Sequence, residues 1–134
     1  MVPNMPAVLS VTLGRRQKSL SEDQIHRAVV QHLKARARPG VFFFHPANGG
    51  QRNKTEAARF VGLGVRAGVP DLIIMAFGKI FALELKADKG RVTPIQKAVH
   101  QEMRAAGATV EVSWGLDEAL AQLTEWGVIH ADAR

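Results

Sequence analysis

An α/β domain, a central mixed β-sheet flanked by helices, is the fold class this sequence predicts. Two observations carry that expectation. The apolar residues recur every four positions in some segments and every second position in others, with Gly, Pro and polar turns between them. One pair of two-period segments is joined by a short turn, so a hairpin interrupts an otherwise helix-separated order and makes the sheet mixed. The 134 residues suit one domain, 1–134, and 46% hydrophobic content is enough for a packed core. Within it, residues 1–18 read as a flexible arm bearing Arg15, Arg16 and Lys18, and 128–134 as a tail without a readable role.

The first helix starts at Ser21, with Gln24 completing a Ser-x-x-Gln capping box. Ile25, Val29 and Leu33 form its buried stripe. At about 100° per residue, Glu22 falls within that stripe, whereas Asp23 falls outside with Arg27, Lys34 and Arg38. A carboxylate turned toward a core needs a partner or a metal. In the first turn it also complements the helix dipole at the surface. His26, one turn on, is expected as a packed or hydrogen-bonded histidine. Pro39-Gly40 ends the helix. Val41 to His45 reads as a short buried strand, followed by the loop His45-Pro46-Ala47-Asn48-Gly49-Gly50. A short helix is expected over 54–61.

Gly62-Leu63-Gly64-Val65-Arg66-Ala67 has the spacing of a dinucleotide-binding fingerprint. That motif needs a strand before it and a helix after it, and the order here is the reverse. The glycines are instead expected to let backbone approach the site closely. Leu72 to Phe77 reads as a strand, Gly78-Lys79 as a turn, and Phe81 to Lys86 as the returning strand. Thr93, Pro94 and Gln96 open a helix with a Thr-x-x-Gln box and proline at the first position. Its expected stripe is Ile95, Val99, Met103 and Ala106. Thr109 to Ser113 alternate as a strand, and Leu116, Leu120 and Leu123 mark a last helix ending at Gly127. Trp114 and Trp126 are expected to pack rather than to stack on bases.

The segment from Gly68 to Asp88 carries the chemistry. With side chains alternating, Phe81, Leu83 and Leu85 share one strand face and Glu84 and Lys86 the other. A hairpin sets Asp71 near Glu84. Two carboxylates so close repel, and one is driven toward its protonated form unless a cation intervenes. A hard divalent cation with oxygen ligands resolves the conflict and suits phosphodiester hydrolysis. Lys86 adds a point charge for a phosphate oxygen or the attacking water. Each residue alone also has an ordinary structural role: a turn cap for Asp71, a solvated strand face for Glu84 and Lys86.

Eighteen basic against twelve acidic residues give a net charge of +6, which favours a polyanionic partner. Arg52 and Lys54 are the leading phosphate-contact candidates, with Arg59, Arg66, Lys89 and Arg91 as further cations. Zero cysteines exclude disulfides and thiolate metal sites and fit a cytoplasmic location. No apolar run approaches the roughly 18 residues of a membrane span. Met1 to Ser10 lacks a charged leading region and is broken by Pro3 and Pro6, unlike a signal peptide.

Pro70-Asp71, twelve intervening residues and Glu84-Leu85-Lys86 resemble the signature of the PD-(D/E)XK nuclease superfamily. With Ser21-Glu22, Asn48-Gly49-Gly50, Gly68-Val69-Pro70-Asp71 and Thr93-Pro94-Ile95-Gln96, the longer string is similar to the VRR-NUC domain. That branch occurs in stand-alone phage and bacterial proteins and at the end of larger DNA-repair nucleases. The resemblance implies a restriction-endonuclease-like fold and a Mg²⁺-dependent endodeoxyribonuclease, with Mn²⁺ substituting. It implies metal ligation by Asp71, Glu84 and the backbone carbonyl of Leu85, with Glu22 acting through water. Lys86 assists catalysis, Gln96 supports it, and the Asn48-Gly49-Gly50 segment lies near the site, with Asn48 contacting DNA. It further implies cutting of branched DNA, as by Holliday-junction resolvases, and a homodimer acting in DNA repair in a bacterial cell or a phage-infected host. The alternatives are a flap or single-strand nuclease, a non-catalytic DNA-binding scaffold on the same fold, and a basic α/β protein with an accidental trio.

Overall fold

The computed structural model describes residues 19–47 and 53–131. Eight elements follow in the expected order: α1 (Glu22–Arg36), β1 (Phe42–Phe44), α2 (Lys54–Gly62), β2 (Leu72–Ala76), β3 (Lys79–Lys86), α3 (Pro94–Ala105), β4 (Thr109–Trp114) and α4 (Gly115–Glu125). The strands form one mixed sheet in the order β1-β2-β3-β4, with β1, β2 and β3 antiparallel and β4 parallel to β3. Both capping boxes form, Ser21 with Gln24 and Thr93 with Gln96, and Pro94 opens α3. None of the described helices is long and apolar enough to cross a membrane.

One sheet face carries the main core. Ile25, Val29 and Leu33 of α1 and Ala119 and Leu123 of α4 pack on Leu72, Ile74 and Ala76 of β2 and on Phe81, Leu83 and Leu85 of β3. The Phe81 and Trp126 rings meet at 4.8 Å, so Trp126 is a packing residue. The alternate β3 residues, Ala82, Glu84 and Lys86, are also buried, on the opposite face where α3 lies. β3 is thus covered on both sides.

Several boundaries differ from expectation for local reasons. α1 stops at Arg36 rather than at Pro39, because Ala37 forms an isolated bridge with Ile129. Val128 and Ile129, expected in a tail, are core residues, and the His130 carbonyl accepts from the Arg36 guanidinium at 2.7 Å. The hairpin turn is Phe77-Gly78, one residue earlier than expected, and both have positive φ (58° and 72°). Paired positive φ values match the twist of a two-residue hairpin. β1 is an edge strand with Phe42 62% exposed, not a buried one. The expected arm 1–18 and the Asn48-Gly49-Gly50 loop lie outside the described residues.

Candidate functional site

The β2–β3 register pairs Leu72 with Leu83. One step further along the antiparallel pair, Asp71 faces Glu84, and the Leu85 N–H donates to Asp71 Oδ2 at 2.8 Å. The hairpin therefore brings the two carboxylates to one end of the sheet, as the sequence led us to expect. Leu85, whose carbonyl was the expected ligand, is in that same strand segment.

Burial distinguishes the site from a solvated strand face. Glu84 is 2% and Lys86 5% exposed. Lys86 Nζ lies 3.4 Å from Glu84 Oε2 and donates to Gln96 Oε1 at 3.0 Å. Gln96 Nε2 donates to Glu84 Oε2 at 3.2 Å. The same Gln96 Oε1 accepts the Thr93 N–H at 2.9 Å. One amide thus caps α3 and ties the helix to both charged strand residues.

Glu84 keeps one oxygen unmatched. Among the described residues its Oε1 is buried without a hydrogen-bond partner, and His100 Nε2, likewise buried without one, stands 3.8 Å away. Burial pushes the Glu84 carboxyl up from 4.5 to about 7, Asp71 adds to the rise, and Lys86 opposes it. Burial likewise lowers the His100 imidazole, with Arg104 and Lys86 adding to the effect. Sequence reading missed His100. It lies one turn beyond Gln96 on α3, whose inner face is rotated from the expected stripe. Val99 and His100 are its buried residues, whereas Ile95 is 60% exposed. A polar helix edge turned onto Glu84 and Lys86 explains the rotation.

Glu22 departs from the expected inward position. It is exposed, because burial along α1 begins only at Ile25 and residues 21–24 are all exposed. Its carboxylate still points toward the site. A methyl built on Gly90 would lie 3.1 Å from Glu22 Oε2 and 3.3 Å from Lys86 Cδ. Glu22 also contributes a small rise to the Glu84 carboxyl. Gly90 leaves room for these side chains to approach, and its carbonyl accepts from Trp114 Nε1 at 2.8 Å. Asp23 points outward as expected and pairs with Arg27 at 2.8 Å.

The close approach assigned to Gly62 and Gly64 occurs elsewhere. A methyl on either would meet nothing within 4 Å, and Gly64 instead supplies the positive φ (97°) that ends α2. At Gly68, with φ of 89°, a methyl would sit 2.9 Å from Ile95 Cγ2 and 3.0 Å from the Ile95 carbonyl. Gly68 is where the chain leading to Asp71 passes against α3.

The expected DNA-contacting residues divide. Asn48 and Arg52 lie outside the described residues. Lys54, Arg59, Lys89 and Arg91 are exposed, with the Arg59 guanidinium 5.8 Å from the Phe60 ring centroid. Arg66 is engaged in a two-point contact with Glu102 of α3, at 3.0 and 3.2 Å, which ties the α2–β2 connection to α3.

The donor set fits a hard divalent cation. Asp71 and Glu84 offer carboxylate oxygens in one place, and the orphaned Glu84 Oε1 is a buried acceptor in need of a positive partner.

Comparison with known proteins agrees with this fold. A solved structure titled "VRR_NUC domain protein" superposes with a TM-score of 0.67 and 25% identity, over 87% of this chain and 96% of the other. A second, titled "VRR_NUC domain", gives a TM-score of 0.53 at 22% identity, over 78% and 94% of the two chains, and supports the fold. No family model matches the sequence, and neither does any curated protein.

Proposed function

From the premise that this chain carries a VRR-NUC domain, a domain of the nuclease family, we infer that it is a divalent-metal-dependent DNA endonuclease. The observation that carries the reading is Glu84: a buried carboxylate beside a second carboxylate, with one oxygen lacking a hydrogen-bond partner among the described residues. A buried charge without a full set of partners is costly, and a cation is the partner this geometry invites.

In this reading Asp71 and Glu84 hold Mg²⁺ or Mn²⁺, the Leu85 carbonyl adds an oxygen, and Glu22 acts through water. A bound Mg²⁺ supplies Lewis acidity toward the phosphate and makes water more acidic. Lys86, fixed by Gln96 Oε1 and Glu84 Oε2, directs its ammonium to a phosphate oxygen or the attacking water. Gln96 is a positioning residue, holding Lys86 and Glu84 in one rotameric arrangement. The exposed cations Lys54, Arg59, Lys89 and Arg91, with Arg52, Asn48 and Arg66, contact DNA phosphates and supply affinity without reading sequence. The finer reading is structure-selective cutting of branched DNA by a cytoplasmic homodimer of the Holliday-junction-resolvase kind, in DNA repair. It rests on the motif resemblance and on the net charge of +6.

The test is incubation of end-labelled four-way junction, flap, duplex and single-stranded DNA with Mg²⁺ or Mn²⁺, with Lys86→Ala as control. Paired symmetric nicks across the junction, absent in the control, are expected. Cutting confined to flaps or single strands would keep the centre and overturn the resolvase reading. DNA binding without any cutting would replace the enzyme by a scaffold domain.

A further inference from the structure

A second group of metal-ligand side chains adjoins the acid pair. His26 of α1, His45 after β1 and Asp71 before β2 each offer a ligand atom, and these atoms lie within 4.8 Å of one another. The three come from separate segments, so the fold, not a sequence run, collects them. His26 and His45 meet ring edge to ring face, with centroids 4.5 Å apart.

The hydrogen bonding of His45 fixes which of its nitrogens is available. Its Nδ1 is 2.6 Å from the Asp71 carbonyl oxygen. A carbonyl only accepts, so Nδ1 carries the proton and donates. In the neutral ring Nε2 is then left with a bare lone pair. A histidine whose second nitrogen is tied to a backbone carbonyl is the usual arrangement of a metal-ligating imidazole. Here the carbonyl belongs to a prospective ligand, so His45 and Asp71 are oriented by one contact. His26 is half-buried, and burial, followed by His45, lowers its basicity.

We propose that His26, His45 and Asp71 form a transition-metal site, of the Zn²⁺ class, that shares Asp71 with the acid pair. The donor chemistry separates the two sites. Imidazole nitrogen suits Zn²⁺ and neighbouring first-row ions, whereas Mg²⁺ takes oxygen. Two histidines and one carboxylate make a three-ligand set that leaves a further position open, as in zinc sites that bind water or substrate. Ligands at about 2 Å around a tetrahedral ion stand about 3.3 Å apart. The three ligand atoms, within 4.8 Å of one another without an ion, would have to draw in to that separation around one. Sharing Asp71 would put two cations on one carboxylate, the layout used by paired-metal phosphodiester chemistry.

The site shares Asp71 with the function proposed above but does not require cleavage, and the test reads metal binding alone. Metal-free full-length protein is titrated with Zn²⁺ against a chromophoric chelator, as wild type and as His26→Gln, His45→Gln and Glu84→Gln. Zn²⁺ affinity is expected to fall by about tenfold or more in each histidine variant and to persist in Glu84→Gln. Undiminished Zn²⁺ binding in both histidine variants would overturn the site. So would a loss confined to Glu84→Gln, which would put the ion on the acid pair. Far-UV circular dichroism checks that the variants fold. X-ray absorption of the zinc-loaded wild type needs no variant. Scattering from two imidazoles is expected, and a shell without imidazole would refute the proposal.

Discussion

Replacing Glu84 by glutamine tests the electrostatics of the site without a cleavage assay. The Glu84 carboxyl is pushed from 4.5 up to about 7, first by burial and then by Asp71. The folded protein thus holds this proton more tightly than the unfolded chain. Between about pH 4.5 and pH 7 folding takes up a proton, so stability falls as pH rises. The contribution is fully present below the unfolded value and lost as pH passes through the folded one. At about 1.4 kcal/mol per pH unit, this amounts to ~3 kcal/mol across the window for metal-free protein. Glu84→Gln keeps the shape and removes the titration. It also removes the charge that faces Lys86 once Glu84 ionises, an attraction already contained in the Glu84 shift. The informative quantity is therefore the pH dependence of the difference between wild type and variant. Urea unfolding in EDTA at pH 5 and pH 8 is expected to move that difference by ~2–3 kcal/mol in favour of the variant at the higher pH. At pH 8, Mg²⁺ at tenfold excess over Kd should return about 1.4 kcal/mol to wild type and far less to the variant. A difference independent of pH would refute the buried, charge-opposed carboxylate.

Further consequences concern packing, the amide bridge and DNA. Gly68→Ala combines a positive φ with contacts of 2.9 Å and 3.0 Å to Ile95 and should cost ~2–4 kcal/mol. Gly64→Ala meets nothing within 4 Å and should cost only ~1–2 kcal/mol; equal losses in urea unfolding would contradict the close approach of Gly68. Gln96→Leu strips a partner from Lys86 Nζ and from Glu84 Oε2, with an expected loss of ~1–3 kcal/mol and slower cleavage. DNA affinity should drop steeply with salt as phosphate contacts release counterions; binding indifferent to salt would contradict a phosphate-led interface.

The element order and the Asp71–Glu84 juxtaposition were legible because they depend on local rules. Capping boxes, the period-two strands and the two-residue turn all act over a few residues, and the antiparallel register then fixes the rest. What escaped depends on contacts distant in sequence. His100 reaches Glu84 only because α3 rotates its polar edge onto β3, while an apolar tally favours Ile95. Val128 and Ile129 look like a tail until Ile129 pairs with Ala37, remote in the chain. Glu22 shares the angular position of the stripe, yet its place in the first turn carries it beyond the core. Gly62 and Gly64 drew attention by spacing, whereas the crowded glycine is Gly68, whose neighbours come from α3. The convergence of His26 and His45 on Asp71 required three segments to meet, which no periodicity reports.

The central claim is that Asp71, Glu84 and Lys86 form one metal-dependent hydrolytic centre. Single-turnover cleavage of end-labelled DNA in Mg²⁺ tests it most directly, comparing wild type with Asp71→Asn, Glu84→Gln and Lys86→Ala at matched folded fraction. Cleavage by the wild type alone, abolished by EDTA and by each substitution, is the result this account predicts. Cleavage that survives all three substitutions, or that proceeds unchanged in EDTA, would contradict it.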